Sequence, residues 1–597
     1  MKQEDTVMDF KSFMNSVEQN LSQMKTEEEL RNWIRNYARS IPEEDRGNFL
    51  EQMQTRKSCS HKDILQELTD WCEKVEEGEI TLSCSGYEEY GESWWDRDWI
   101  TEYEDPMGIG AQLKRYYEEA EQAVYDRDYE SASRMYWSLG GLNITADDIY
   151  GGEPAELRIE EMVSEKLVSL NLKQIASLTL YSTYQAYELP ERIPKLYGFF
   201  SWHMFENTGI EDMMSAGREP LQEIDEFLEA WITYLREQND SYTSRLLIEA
   251  VTFRSGTEGL LEEAKQTANQ HPRLYIQVLE QFFQDEEWDR LREEGTEALR
   301  RMERNMEIRD KAARMTAAAA THTGDSKTAV EALKEAFCSK PTAANYFRIL
   351  TCGDGCGRDD MKSVLELAER VQQEQRQQDN GAAGQRARYY WREPKETDVY
   401  WQTEQDRLGI RFLDGDCQTI WQECRKTKNA LGWTGKFISE GVPMLLAVLC
   451  ENDFEGRSIQ TMLSDIRYFI GYEKEYDEPE FAERFLQWKK QTVIPEDVKK
   501  EILAYLTKTI DARVEAIVGG GHRGSYCKAA RLGAALGEVE ESMGKRNGRE
   551  ERVSKYLAEF PRHRAFKQEI KEILSCEAER WRISRNIWSR QYPKKTV

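Results

Sequence analysis

Two short segments have the residue types of a ligand site, but each lacks a partner that the chemistry needs. Cys352-Gly-Asp-Gly-Cys356 offers two thiols, yet zinc takes four ligands, and no second pair or nearby histidine completes the set. The run from Gly519 to Gly524 is glycine-rich like a phosphate loop. Such a loop needs Gly-Lys-Ser/Thr after a strand, whereas a predicted helix precedes this run. We interpret both segments as connections between helices and predict no metal or cofactor.

Catalytic side chains are equally hard to place. The chain has 110 acidic residues and six histidines, so carboxylate pairs at helical spacing are common on solvated faces and identify no site. No HExxH, GxSxG or phosphate-loop motif occurs. The sequence therefore favours a protein without enzymatic activity. A hydrolase with a site between two lobes is the alternative.

The C-terminal residues 576–597 form a basic, aromatic tail. They contain six basic residues against two acids, with tryptophan and arginine at helical spacing. The tail residues that we select as candidate binding residues are Arg580, Trp581, Arg585 and Trp588. One interpretation is a capping helix whose tryptophans cover the last repeat. The other is an arm for an anionic partner, either nucleic acid or an acidic protein.

Residues 81–110 combine aromatic and acidic side chains without a helical period. Aromatic residues are costly to leave in water, so the segment must pack on something, and we predict a long loop over neighbouring helices. The alternative is an acidic aromatic surface for a basic partner, because aromatic residues anchor interfaces and acids steer cationic ligands. The candidate anchors are Trp94, Trp95, Trp99 and Tyr103.

The overall composition limits the classes of partner. The formal charge is −29, with 32% charged residues, so the body of the protein should repel phosphates and is not expected to bind nucleic acid or membranes nonspecifically. No 18-residue apolar run and no apolar core of signal-peptide type is present. The cysteines are scattered singly, as reduced core cysteines are. We expect a soluble, cytoplasmic protein.

Small residues recur at the spacing of a 34-residue helical hairpin. In the segment 311–341 they occupy the positions where two antiparallel helices cross, with glycine at the turn and proline at the end. These positions are Ala317, Gly324, Ala329, Ala336 and Pro341. A second copy, at 111–144, places Ala120 and Ala132 in the same register. The pattern resembles the tetratricopeptide repeat; an ordinary hairpin in a globular all-α protein is the alternative.

A second likeness rests on several segments together. They are EDPMGIG at 104–110, the hairpin at 117–136, HPRLY at 271–275, the stretch 335–346, LGW at 431–433 and HRGSY at 522–526 with two alanines at 529–530. They resemble the helical region that follows the zinc module of bacterial SWIM zinc-finger proteins. That module needs Cys-x-Cys and Cys-x-His, and this chain has only Cys59-Ser60-His61. The resemblance therefore implies the repeat scaffold, without zinc and without the module's nucleic-acid binding.

We predict an all-α fold, namely a solenoid of tetratricopeptide-like antiparallel hairpins that can divide into two lobes. The expected segments are N-terminal helices at 1–80, the acidic aromatic loop at 81–110, repeats at 111–375, a flexible connector at 376–396, further repeats at 397–575 and the tail at 576–597. The expected function is a scaffold that holds a basic or amphipathic partner peptide in its concave groove. A nucleic-acid-associated protein that uses the tail is the second possibility, and no membrane partner is expected.

Overall fold

The computed structural model of this chain describes residues 26–42, 46, 49, 60–90, 97–353, 358–379, 396–454 and 456–575. Helices dominate these residues, together with one small four-stranded sheet. The chain divides into two compact units, Met1–Ile224 and Asp225–Val597, here called unit 1 and unit 2. Across the described ranges, no helix is both long enough and apolar enough to cross a lipid bilayer.

Unit 1 interleaves helices with the four strands. In chain order its elements are α1 (Glu27–Ser40), α2 (His61–Glu76), β1 (Leu82–Tyr90), β2 (Arg97–Glu104), α3 (Ile109–Tyr125), α4 (Tyr129–Gly140), β3 (Ile144–Asp148), β4 (Ala155–Leu157), α5 (Ile159–Ser164), α6 (Leu172–Ala186), α7 (Leu189–Phe199) and α8 (Ile210–Ala216). A short 3₁₀ turn, His203–Phe205, lies between α7 and α8.

The sheet contains two departures from the helical prediction. Its strand order is β2-β1-β3-β4; β1 pairs antiparallel with β2 and parallel with β3, and β3 pairs antiparallel with β4. The described part of 81–110 therefore forms a β-hairpin, and the prediction of a loop was wrong there. Strands β3 and β4 likewise interrupt the stretch 111–375 that was predicted to be helical throughout. In both 81–110 and 111–375, the backbone forms strands because it pairs with other strands of the same sheet.

The hairpin of α3 and α4 connects β2 to β3. Parallel strands need a crossover connection, and this helix pair lies on the path between the parallel strands β1 and β3. Ala120 and Ala132 are fully buried, so small side chains let the two helices approach closely. Helix α4 begins after Asp128, whose carboxylate accepts the backbone N–H of Ser131 at 3.3 Å. Local capping and small residues thus build this pair as the sequence predicted.

Unit 2 is built of helices in the residues that the structure describes. The elements are α9 (Ile224–Leu235), α10 (Thr243–Thr267), α11 (Arg273–Gln284), α12 (Trp288–Arg301), α13 (Arg309–His322), α14 (Ser326–Ser339), α15 (Ala343–Leu350), α16 (Arg358–Asp379), α17 (Glu404–Leu413), α18 (Cys417–Arg425), α19 (Ile438–Leu449), α20 (Arg457–Phe469), α21 (Phe481–Gln491), α22 (Glu496–Val514), α23 (Tyr526–Ser542), α24 (Gly548–Glu559) and α25 (Arg564–Ser575). Helix α9 starts at the last residue of unit 1. From α10 to α14, each helix packs on the next.

Helices α13 and α14 form the hairpin that the sequence identified most clearly. Ala317, Ala329 and Ala336 are buried between them and their neighbours. Gly324 has φ of 74°, the left-handed conformation that ends a helix with least strain in glycine. The side chain of Asp325 then accepts the backbone N–H of Thr328 at 3.1 Å and caps α14.

The end of that hairpin is also as expected. Helix α14 stops at Ser339, and Pro341 is buried in the turn before Thr342 caps α15. Because proline has no N–H to continue a helix, the chain changes direction at this point. Gly324 and Pro341 therefore lie where a helix ends, and the predicted alanines of this segment are buried.

The connector predicted at 376–396 does not separate two compact bodies. Helix α16 extends to Asp379, and residues 380–395 lie outside the described residues. Ala368 before that stretch and Leu408 after it belong to one hydrophobic core, which runs through unit 2 from Ala317 to Ile570. The division between units falls instead after Ile224.

Candidate partner-binding surface

One face of the sheet in unit 1 is turned away from the helices and is rich in acids. Leu82 and Cys84 of β1 are buried, so the alternate residues of that strand point outward. Residues that pair directly across two strands share a face. The outward β1–β2 pairs are Ser83 with Glu104, Ser85 with Glu102 and Tyr87 with Ile100.

Strands β3 and β4 extend the same face. Asp147 is opposite Ser83 in the parallel ladder, and Thr145 is opposite Glu156 in the antiparallel one. We call the set the acidic sheet face; its members are Ser83, Ser85, Tyr87, Ile100, Glu102, Glu104, Thr145, Asp147 and Glu156. These nine residues include four carboxylates and no lysine or arginine, so the face attracts cations.

Tyr87 and Ile100 give the acidic sheet face an apolar end. Tyr87 is 44% exposed, and its hydroxyl donates a hydrogen bond to Glu102 Oε1 at 3.1 Å. The ring is therefore held on the face by the neighbouring strand while much of its surface meets water. An exposed aromatic ring beside carboxylates suits a ligand with both apolar and cationic groups.

Strand β2 forms one edge of the sheet. It pairs with β1 on one side, and among the described residues no turn, loop or side-chain hydrogen bond reaches its backbone. In an antiparallel pair, alternate residues direct their N–H and C=O groups away from the partner strand. Among the residues that the structure describes, the outward groups of β2 thus have no partner strand.

The end of β2 is anchored to α3. Asp105 follows the strand, and its two carboxylate oxygens accept the backbone N–H groups of Ile109 and Gly110, each at 2.8 Å. A Cβ on Gly110 would lie 2.3 Å from the carbonyl oxygen of Leu167, so only glycine fits there. These contacts hold the strand in a fixed position relative to the helices.

The sequence-predicted anchors divide between this surface and undescribed residues. Tyr103 lies in β2 opposite Cys84, half-buried on the inner face, and burial raises the pKa of its hydroxyl. Trp99 is part of β2, but its side chain is not among those that the structure describes. Trp94 and Trp95 lie outside the described residues, as do the tail residues Arg580, Trp581, Arg585 and Trp588.

Sequence reasoning missed the members of the face that matter most here. Ile100, Glu102 and Glu104 alternate with Trp99, Thr101 and Tyr103 along β2. A two-residue alternation is the signal of a half-buried strand. It was present in the sequence, but the density of aromatic and acidic residues obscured it.

The segment Cys59-Ser60-His61 has a structural role in the part that is described. His61 Nε2 lies 3.0 Å from a carboxylate oxygen of Asp126, at the start of α2, where Ser60 and Asp63 form a reciprocal cap. Cys59 is outside the described residues. Among those that are described, no group of three or more histidine, cysteine or acidic side chains is arranged to hold a metal ion.

Several cysteines are placed where a thiolate is unfavourable. Cys72, Cys338, Cys417 and Cys424 are free and buried, and burial raises the pKa of each thiol to about 12. Because the thiolate is the nucleophile, these residues are packing groups. Cys352 is partly buried, and Cys356 lies outside the described residues.

The glycine run at 519–524 is a turn between helices, as predicted. Helix α22 continues as a π-helical turn, Glu515–Gly519, and the N–H of His522 donates to the carbonyl of Ile517 at 2.9 Å. Gly521 has φ of 73°. A 3₁₀ turn, Arg523–Ser525, then leads into α23.

An aromatic cluster in unit 2 is the second surface with binding chemistry. The rings of Trp288 and His322 stack at 4.0 Å, and Phe283 meets both Trp288 and Tyr476 edge-on. Arg314 lies 5.4 Å from the centre of the Tyr476 ring. Each ring therefore already has a partner within unit 2, and the cluster holds the loop at 473–480 against α11 and α13.

Comparison with known proteins does not assign the surface to a family. No protein-family model matches the chain, and no curated protein has a significantly similar sequence. The acidic sheet face and the unpaired edge of β2 are thus the observations on which a function can be based.

Proposed function

We propose that this chain is a non-enzymatic scaffold that binds a basic or amphipathic segment of a partner protein. In this proposal its helical hairpins form a tetratricopeptide-like solenoid similar to that of the SWIM zinc-finger family proteins. The single observation on which it rests is the acidic sheet face, with its four carboxylates and exposed Tyr87. Free, singly placed cysteines fit a cytoplasmic setting.

The chemistry of the face supports binding better than catalysis. Hydrolysis by paired carboxylates requires one of them to hold a proton near neutral pH, which burial or a close like charge provides. Glu102 and Glu104 are exposed on the surface of the strand. Exposed carboxylates attract and orient a cationic partner.

The test compares two variants of the full-length chain with equal net charge. The face variant carries Glu102→Lys and Glu104→Lys. The control carries Glu118→Lys, at an exposed position of α3, and Glu237→Lys, at an exposed position just after α9. Each protein is immobilised and incubated with extract of the native cell, and retained proteins are identified by mass spectrometry after both variants are shown to melt like the wild type.

Proteins retained by the wild type and the control but lost from the face variant would support the proposal, particularly if their release by salt is steep, since exposed charges are screened. Identical retention by all three proteins would refute it. Turnover of a substrate by the wild type would also refute the non-enzymatic assignment.

A further inference from the structure

Strand β2 has the geometry of a template for another strand. It is eight residues long, Arg97–Glu104, and within the described part of the chain it is paired on one side only. Natural proteins protect such edges with short strands, prolines, bulges or charged side chains, most often lysine, and the charges of β2 in the acidic sheet face, Glu102 and Glu104, would disfavour any added strand that is not basic. Strand β2 has no proline or lysine, and its ladder with β1 continues without interruption from Arg97 to Glu104.

We propose that β2 binds its partner by strand addition: an extended basic–apolar segment of another protein pairs with the free edge and becomes a fifth strand of the sheet. The inference rests on the proposed scaffold function and specifies the mode of binding at the same surface. Main-chain hydrogen bonds supply part of the affinity of such complexes, and alternate side chains supply the specificity.

The two faces beside β2 define the side chains that the partner needs. Side chains of an added strand alternate between faces. On the outer face they meet Glu102 and Glu104, where lysine or arginine is favoured. On the inner face they lie beside Thr101 and Tyr103, both half-buried, where a β-branched apolar residue fits. The preferred segment therefore alternates basic and apolar residues.

Charge also argues against a second copy of this chain as the occupant. Parallel pairing of β2 with β2 in register would bring Glu102 and Glu104 of one copy beside the same residues of the other. Like charges across neighbouring strands are destabilising, and Arg97, the one basic residue of the strand, is at its opposite end. A basic strand replaces this repulsion with attraction.

The probe is a fluorescent eight-residue peptide in which lysine and valine alternate, with both ends blocked. Its binding to the full-length chain is measured by fluorescence anisotropy. Three comparison peptides are used: one with glutamate in place of lysine, one N-methylated at both central residues, and one N-methylated at its first and last residues. The last two have equal composition, but the methyl groups block either the central or the terminal hydrogen bonds.

Strand addition predicts saturable binding of the lysine–valine peptide and no binding of the glutamate peptide. Central methylation should weaken binding at least tenfold: one of the two adjacent N–H groups faces β2, the loss of its hydrogen bond costs about fivefold in affinity, and the methyl group also obstructs pairing. Terminal methylation should change it about twofold. Hydrogen-exchange mass spectrometry should show slower exchange across 97–104, while β3, which lies inside the sheet between β1 and β4, stays unchanged.

Several results would overturn the inference. They are failure of the lysine–valine peptide to bind, equal binding of the glutamate peptide, equal effects of central and terminal methylation, or protection outside 97–104. Concentration-dependent self-association that protects 97–104 would identify a second copy as the occupant and equally overturn it.

Failure of strand addition would not by itself refute the proposed scaffold function. If the Glu102→Lys, Glu104→Lys variant loses cellular partners while the methylated peptides bind equally, the face binds its partner through side chains alone. If the Glu102→Lys, Glu104→Lys variant keeps its cellular partners and the two methylated peptides also bind equally, the proposed function is refuted as well.

Discussion

Replacing Gly295 by alanine is expected to loosen the packing of α12 on α13. A Cβ at this position would lie 2.1 Å from Thr316 Oγ1 and 3.2 Å from its Cβ. Thr316 is fully buried, and its hydroxyl donates to the carbonyl of Ala312 at 2.8 Å. The threonine therefore has no open space into which it could turn.

The size of the effect follows from two opposing terms. Overpacking a buried site costs about 1–3 kcal/mol, and a 2.1 Å approach puts Gly295→Ala at the upper end. Alanine in a helix interior is about 1 kcal/mol more favourable than glycine. The free energy of local opening should therefore fall by about 2 kcal/mol, which corresponds to roughly 30-fold faster amide exchange in α12 and α13.

A double-mutant cycle separates the clash from other effects of the substitution. Thr316→Ala removes Oγ1 and Cγ2 and leaves the threonine Cβ at 3.2 Å as the nearest atom. In that background Gly295→Ala should be nearly neutral, giving a coupling energy of about 2 kcal/mol. The readouts are hydrogen-exchange mass spectrometry of both helices and urea unfolding.

A matched control is Gly198→Ala in α7. Its Cβ would meet Trp137 ring atoms at 3.6 Å, an ordinary contact, so this change should be neutral or stabilise by up to about 1 kcal/mol. The reasoning is refuted if Gly295→Ala leaves exchange in α12 and α13 unchanged, or if its effect is the same with and without Thr316→Ala.

Three further predictions concern charge and the tail. Arg309, which is 1% exposed, and the half-exposed Arg304 both pair with Glu335. In urea unfolding, Arg309→Met should lower the free energy of unfolding by about 3–5 kcal/mol, whereas Arg304→Met should lower it by at most about 1 kcal/mol. Equal losses from the two substitutions would contradict this. Burial lowers the pKa of His271, so this histidine binds a proton more readily in the unfolded chain. The free energy of unfolding should therefore fall as the pH drops below about 6.5. His271→Gln should reduce this dependence on pH, and an unchanged dependence would exclude His271 as its cause. Deleting Ile583–Val597 should lower the melting temperature if the tail caps the helices; unchanged melting with lost salt-sensitive retention on DNA or RNA would identify it as an arm.

Local sequence was sufficient to predict the helical hairpins. Ala120 and Ala132, like Ala317 and Ala329, are at buried positions where paired helices meet. Gly324 adopts the left-handed conformation expected of a helix end. Helix pairs joined by short turns depend on residues close in sequence, so spacing and capping carry enough information to place them.

The sheet could not be predicted in the same way. Leu82 pairs with Ala146 and Ser83 with Asp147, partners separated along the chain by a helical hairpin. The alternation in β2 could have indicated a strand, but it does not identify the neighbouring strand. Which strand is at the edge, and therefore which backbone groups remain unpaired, depends on those long-range pairings.

The amino-acid sequence alone thus determined a largely helical chain, its hairpins at Ala120 and Ala317, and a net negative charge, since these depend on composition and on residues a few turns apart. Only the tertiary structure brought Glu102 and Asp147 onto one face, left β2 at the edge of the sheet and buried Arg309 against Glu335. The physical reason is that strand pairing and burial depend on groups brought together from distant parts of the chain, whose identity no local pattern encodes.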